Sequence, residues 1–293
     1  MTALRAGEWE MILRPELGGA IGSLRRGGVD VLRPTPPGET SVLQTACFPL
    51  LPYANRIDRG RFVFQGRPVQ IDPTPGFEPH ALHGTGWRSP WTLRIDGDTA
   101  VMTYVHAAGD WPWSFKAEQR LTLSAAGLTA TLTMTNADSV PMPAGLGLHP
   151  YFVRRPDTRL RFASAGVWIS DASEIPVVQK APEALFDWRN GPMVRDAPFI
   201  DNAYSGWDGV AAIQDSRLHL RLEASSNGTA LQVFAPHGET FVCVEPVTHR
   251  PNGLNAPPEE ATGVEVLAPG ETIALTLSVT AHDDESHSAG RPP

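Results

Sequence analysis

The feature that most limits what this chain can fold into is a period of two. Apolar and β-branched residues recur in short runs along most of its length, each run bounded by turn-forming residues. Such alternation sends every second side chain to one face of an extended strand and conflicts with the 3.6-residue repeat of an amphipathic helix. RFVFQGRPVQI predicts a hairpin turning at Gln65-Gly66, and WTLRIDGDTAVMTYVH one turning at Asp96-Gly97, where glycine takes positive φ without steric cost. EQRLTLSAAGLTATLTMTN predicts a turn at Ala126-Gly127, and RLHLRLEASSNGTALQVFAP one at Asn227-Gly228. RLRFASAGVWIS, TFVCVEPVT and ETIALTLSVTAH add further strands. No stretch of a dozen residues combines helical spacing with caps. The expected fold class is therefore all-β, a large antiparallel β-sandwich.

A chain of 293 residues with 27 glycines and 28 prolines suits many short strands in one large sandwich. No self-similarity at propeller or solenoid periods is present. The expected organisation is one domain over residues 1–281 and a disordered tail over 282–293, which carries nothing apolar. Segments 33–57, 66–90 and 171–209 are rich in Pro, Gly and Trp and too long for hairpin turns. They read as loops lying over one face of the sheets, the usual place to build a site.

The net charge of −8, without a Lys/Arg cluster, argues against a nucleic-acid surface. No apolar run approaches a secretory signal or a membrane span, so no membrane association and a cytoplasmic location are expected. Cys47 and Cys243 each lie in an apolar stretch and read as buried thiols, too few for a cysteine-rich zinc site. G-x-S-x-G, P-loop and dinucleotide fingerprints are absent from any strand-to-helix context.

Chemistry-bearing residues gather in five clusters: PYANRIDRG, FEPHALHGTGW, GLGLHPYF, FIDNAYSGW and VEPVTHRPNGLN. Each has a plainer reading beside a functional one. His149 fits a core histidine satisfied by a carbonyl as well as an acid. His80 and His83 are spaced as a metal pair, yet no further ligands follow at zinc spacing, and no metal is expected. Glu245 fits a water-facing strand-end carboxylate, and Asn55-Arg56 a loop brace. Trp87, Trp188 and Trp207 are core aromatics by default, and flat faces of this kind also stack on sugars.

Taken together and in order, these clusters resemble the aldose 1-epimerase (galactose mutarotase) family. ELGGAIGSL resembles that family's opening strand and glycine pair, PYANRI its Asn-Arg motif, ALHGTGW its Leu-His-Gly motif, and LHPYF its central histidine. Asp201 in FIDNAY falls where the family carries a sugar-binding aspartate, and VEPVTHRPNGLN resembles the strand bearing its catalytic glutamate. The match runs from about residue 16 to residue 280.

The resemblance implies a galactose mutarotase-like supersandwich that interconverts the α and β anomers of a free aldose without a cofactor. Carried over by position, Glu245 is the base that takes the C1 hydroxyl proton and His149 the acid that protonates the ring oxygen. His83 hydrogen-bonds near the reacting oxygens, Asp201 accepts from sugar hydroxyls, and Asn55 and Arg56 donate to them. The sequence assigns no oligomeric state. Two departures stand out: Leu148 and Pro150 flank the histidine, and Pro246-Val247 follow the glutamate, where many relatives carry polar residues. They leave the acid and base in place and bear on the substrate. The alternatives are an epimerase for a phosphorylated or sulfonated sugar, with Arg56, Arg59, Arg88 or Arg250 forming a cationic subsite, and a non-catalytic sugar sensor on the same fold.

Overall fold

The period of two becomes two large antiparallel sheets. The computed structural model describes residues 2–228, 230–257 and 259–282. The predicted 282–293 tail thus lies outside the described residues except for His282. One sheet has 11 strands and the other 8. Among the described residues no helix is long and apolar enough to cross a membrane.

In the 8-stranded sheet the alternation is clean. Phe115–Leu123 buries Phe115, Ala117, Gln119, Leu121 and Leu123 and turns Lys116, Glu118 and Arg120 outward. The outer face carries a ladder of hydroxyl pairs, Thr131 with Thr276 at 3.0 Å and Thr135 with Thr272 at 2.8 Å. A half-solvated antiparallel sheet has this pattern.

The centre of the 11-stranded sheet differs. Gly147–Val153, Phe241–Val247, Ala230–Ala235 and Ile200–Ser205 lie side by side, antiparallel. The first two strands are buried almost throughout, so both of their faces are covered. Leu148, Phe152, Val242, Val244, Leu231 and Val233 point into the apolar core shared with the other sheet. The alternate positions, including Tyr151, Cys243, Val247 and Ala230, form a second, smaller cluster with Phe48 and Trp87 on the far face. That second face carries the site.

Turn chemistry matches the expectation at Gln65-Gly66, where φ is 49° and 76° and Phe64 pairs with Arg67. Positive φ at both central residues is what a tight hairpin of this hand requires. Asn227-Gly228 departs from it. His219–Ala224 belongs to the 8-stranded sheet and Ala230–Ala235 to the 11-stranded one, so this segment crosses between sheets. Both strands bury apolar side chains in the same core, one from each sheet. Segment 171–209 is likewise not all loop: it contains the strands Pro176–Lys180 and Ile200–Ser205.

Phe152 is fully buried between the sheets. Its replacement by Ala is expected to cost about 3–5 kcal/mol of stability, against at most ~0.5 for Val105→Ala on the exposed face. Equal shifts in urea midpoint would contradict this assignment of faces.

Candidate active site

Strand register brings the acid and base candidates together. Gly147 pairs with Val247 and Tyr151 with Cys243, which sets His149 across from Glu245. His149 Nε2 lies 3.4 Å from Glu245 Oε1. Glu245 is opposite Gln232 on its other side, and Gln232 Nε2 donates to Asp201 Oδ1 at 2.6 Å. Four adjacent strands thus present His149, Glu245, Gln232 and Asp201 along one face. Asp201 stands within a strand rather than on the loop expected over 171–209, and Glu245 is 2% exposed inside its strand rather than water-facing at a strand end.

These residues line a cavity of about 310 Å³, together with Arg33, Asn55, Arg56, His83, Tyr151 and Phe241. Segments 33–57 and 66–90 supply its upper walls, as expected, although they also contain short strands such as Cys47–Leu50 and Ala81–Leu82. A larger cavity of about 510 Å³ beside Trp113 holds neither a carboxylate nor an imidazole.

His149 is clamped between aromatic rings. Phe48 stacks at 4.6 Å and Tyr151 at 4.7 Å, while His83 meets it edge-on at 5.5 Å. Removal from water disfavours the imidazolium, and the nearby Arg33 charge adds to this, so His149 is pushed down to about 3. Burial pushes Glu245 the opposite way, well above the ordinary carboxylate range, and the Asp201 charge reinforces it. Asp201 is raised by burial against the opposing pull of Arg56 and Gln232. Burial thus acts on both members in the same sense, favouring a protonated carboxyl and a neutral imidazole.

The loop side is pinned by histidines. His83 Nδ1 accepts the Asn55 backbone N–H at 2.9 Å, and the His83 N–H donates to the Asn55 carbonyl at 3.0 Å. Both residues have φ of 58°, a left-handed conformation that these mutual bonds hold in place. With Nδ1 as acceptor, neutral His83 carries its proton on Nε2, and burial keeps it neutral by lowering its pKa well below the usual value. His249 Nε2 accepts the Ala54 N–H at 3.0 Å, and His80 Nδ1 accepts the Arg59 N–H at 3.1 Å. Since His80 and His83 each bond a different backbone amide, they are not a metal pair.

Asn55 Oδ1 accepts from the Arg56 backbone N–H at 2.8 Å, and Arg56 is ion-paired with Glu174. Of the arginines considered for a cationic subsite, Arg56 lines this cavity while Arg59, Arg88 and Arg250 do not. Trp87 packs beneath Phe48, and Trp188 and Trp207 belong to the inter-sheet core, so none of the three offers a sugar platform.

Sequence reasoning missed Arg33 and Gln232. Arg33 lies over Tyr151, 3.9 Å from its ring centre, and donates to the carbonyls of Leu43 and Thr45. Gln232 had a legible signal, being the lone polar residue inside the buried run ALQVFA.

The sequence pattern of the family described as aldose 1-epimerase matches residues 3–280. The chain belongs to this family. It is 30% identical over 276 residues to the uncharacterized protein YphB of Escherichia coli (strain K12), covering 89% of this chain and 92% of YphB. Its backbone superimposes on a candidate aldose 1-epimerase of Escherichia coli K12 with a TM-score of 0.87 and 29% identity, covering 96% of this chain and 98% of that one. A galactose mutarotase-like protein of Clostridium acetobutylicum, 22% identical, shares the fold with a TM-score of 0.85 over 96% of this chain and 95% of its own.

A Cβ at Gly145 would fall 2.0 Å from His249 Cδ2. Gly145→Ala is therefore expected to displace His249 from Ala54 and destabilise the protein by about 1–3 kcal/mol. An unchanged denaturation midpoint would show that His249 does not hold this segment.

Proposed function

We propose that the protein is an aldose 1-epimerase acting on a neutral free aldose, with His149 and Glu245 as its proton-transfer couple. The observation that carries this reading is their 3.4 Å approach at the floor of a cavity lined by hydrogen-bonding groups. Ring opening needs one proton removed from the C1 hydroxyl and one delivered to the ring oxygen. Glu245 as carboxylate takes the first, and His149 as imidazolium delivers the second. The couple then stands as carboxylic acid and neutral imidazole. Closure on the other face of the aldehyde reverses both transfers. His83 donates from Nε2 toward the reacting oxygens, Asp201 accepts from sugar hydroxyls, and Asn55 and Arg56 donate to them.

Burial favours the neutral form of the couple, which is the form complementary to the open-chain aldehyde. The cyclic sugar requires the ion-pair form, so its hydroxyl dipoles must supply what the removed water does not. The free site favours the same neutral form, so forming the ion pair is a cost that contacts with the bound sugar must offset. General acid and general base catalysis each contribute roughly 10²- to 10⁴-fold. The two transfers belong to one couple, so losses from single substitutions should not add.

The charge around the cavity supports a neutral substrate over an anionic one. Arg56 is already paired with Glu174, Arg33 donates to two carbonyls, and the cavity wall also carries Glu239. A phosphate or sulfonate entering there meets the Glu239 carboxylate and an Arg56 already paired with Glu174, which leaves Arg33 as the lining cation available to hold it. A sensor has no use for a buried acid–base couple.

Mutarotation of freshly dissolved α-D-glucose and α-D-galactose, followed by polarimetry, should accelerate with the protein and fall at least ~10²-fold in Glu245→Gln. Full activity in that variant would remove Glu245 from the chemistry. Preference for glucose 6-phosphate or sulfoquinovose over glucose would overturn the neutral assignment.

The pH profile tests the couple itself. Activity requires one proton on the pair, and it is lost when a second is added or the first removed. His149 is lowered from 6.5 to about 3, so the acid limb of kcat/KM should lie far below 6.5. Glu245 is raised, so the alkaline limb should lie well above 4.5. An acid limb centred at 6.5 or higher would place the acid on some other group.

A further inference from the structure

Cys243 is a thiol that the proposed reaction leaves unused, and it lies against the couple. One ligand-type atom from each of His149, Cys243 and Glu245 lies within 4.8 Å of the other two, and all three residues are buried. Strand geometry explains the cluster. Cys243 and Glu245 are two apart on Phe241–Val247 and face the same way, and His149 stands opposite on the adjacent strand.

Imidazole nitrogen, thiolate sulfur and carboxylate oxygen are the donors that zinc accepts, and three protein ligands with an open fourth position make an exchangeable site. The 3.4 Å between His149 Nε2 and Glu245 Oε1 matches what two bonds of about 2.0–2.1 Å impose at a tetrahedral angle. Charge also balances. A divalent cation held by thiolate, carboxylate and neutral imidazole leaves no net charge in a buried place, where an uncompensated one is costly.

We propose that His149, Cys243 and Glu245 form a binding site for a thiophilic divalent cation such as Zn²⁺ or Cd²⁺, and that its occupancy inhibits the enzyme. As the sulfur–metal bond forms, the thiol proton leaves to solvent. The metal also takes the lone pair of His149 and the carboxylate of Glu245, which the mutarotase reading requires for proton transfer. Only the inhibition rests on that reading.

The test uses chelator-treated full-length protein titrated with Cd²⁺, with the ultraviolet thiolate-to-cadmium band as readout and no sugar present. The chain has two cysteines, so the band has two possible sources. One equivalent should give the band in the wild type and in Cys47→Ala, and no band in Cys243→Ala or in the bulk-preserving Cys243→Val. Zn²⁺ should abolish the cadmium band and slow anomer exchange competitively with sugar. Its inhibition constant should rise at least ~10-fold in whichever Cys243 variant retains the wild-type circular dichroism and metal-free rate. A band that persists without Cys243, or no band in the wild type, overturns the site. Zinc that binds without slowing the reaction overturns the inhibition. Because the band is read without substrate, the site and the mutarotase reading fail separately.

Discussion

The structure turns on a carboxyl group buried in the middle of a sheet. Glu245 sits in a strand, FVCVEPV, whose every residue is buried. An isolated carboxylate there would cost several kcal/mol, and its attraction to a partner repays that cost only with good geometry. Burial instead favours the protonated carboxyl, and the imidazole beside it is driven toward its neutral form. Stability then has to come from elsewhere, and the inter-sheet core behind the same strand supplies it: Val242 and Val244 point into that core while Cys243 and Glu245 face the opposite side, where Glu245 lines the cavity. One strand thus serves both requirements, separated by a single residue of register.

Strands and loops divide the work. The couple stands on adjacent paired strands and Asp201 two strands beyond Glu245 in the same sheet, whose ladders hold them with little freedom. Asn55, Arg56 and His83 come from coil and short strand pairs, which have no ladder of comparable length. Here three histidines act as acceptors, taking the backbone N–H groups of Ala54, Asn55 and Arg59. Only a neutral imidazole can accept in this way. Burial, which lowers the pKa of His83 and His249, is therefore part of what keeps the segment shaped.

Much of this was legible in the sequence because alternation is a local property. The all-β class, the Gln65-Gly66 hairpin and the inward faces of Phe115–Leu123 follow from spacing alone. The Asn227-Gly228 crossing was not legible, since a turn signal reports that the chain reverses and not which sheet the next strand joins. His149, Glu245, Asp201, Asn55, Arg56 and His83 line one cavity, an arrangement the family resemblance suggested and no single residue could show. Arg33 escaped because its role depends on Tyr151 and Phe241 beneath it, two rings far away in sequence. His249 escaped for the same reason: its acceptor role is set by Ala54, a partner 195 residues away.

Register also clarifies the departures from the family pattern. Leu148 and Pro150 flank His149, so their side chains leave the opposite face of the strand, and Pro246 stands in the same relation to Glu245. Leu148 packs in the inter-sheet core, and none of the three lines the cavity. Apolar residues at these positions therefore alter how the strand is seated rather than what touches a sugar. Selectivity has to reside where side chains reach the cavity from other elements: Arg33, Gln232, Phe241 and the pinned 52–57 segment. Arg33 is the informative member of this set. Its guanidinium lies on Tyr151, which in turn stacks on His149, so a change at Arg33 acts on the position of the acid as well as on the charge that a substrate meets.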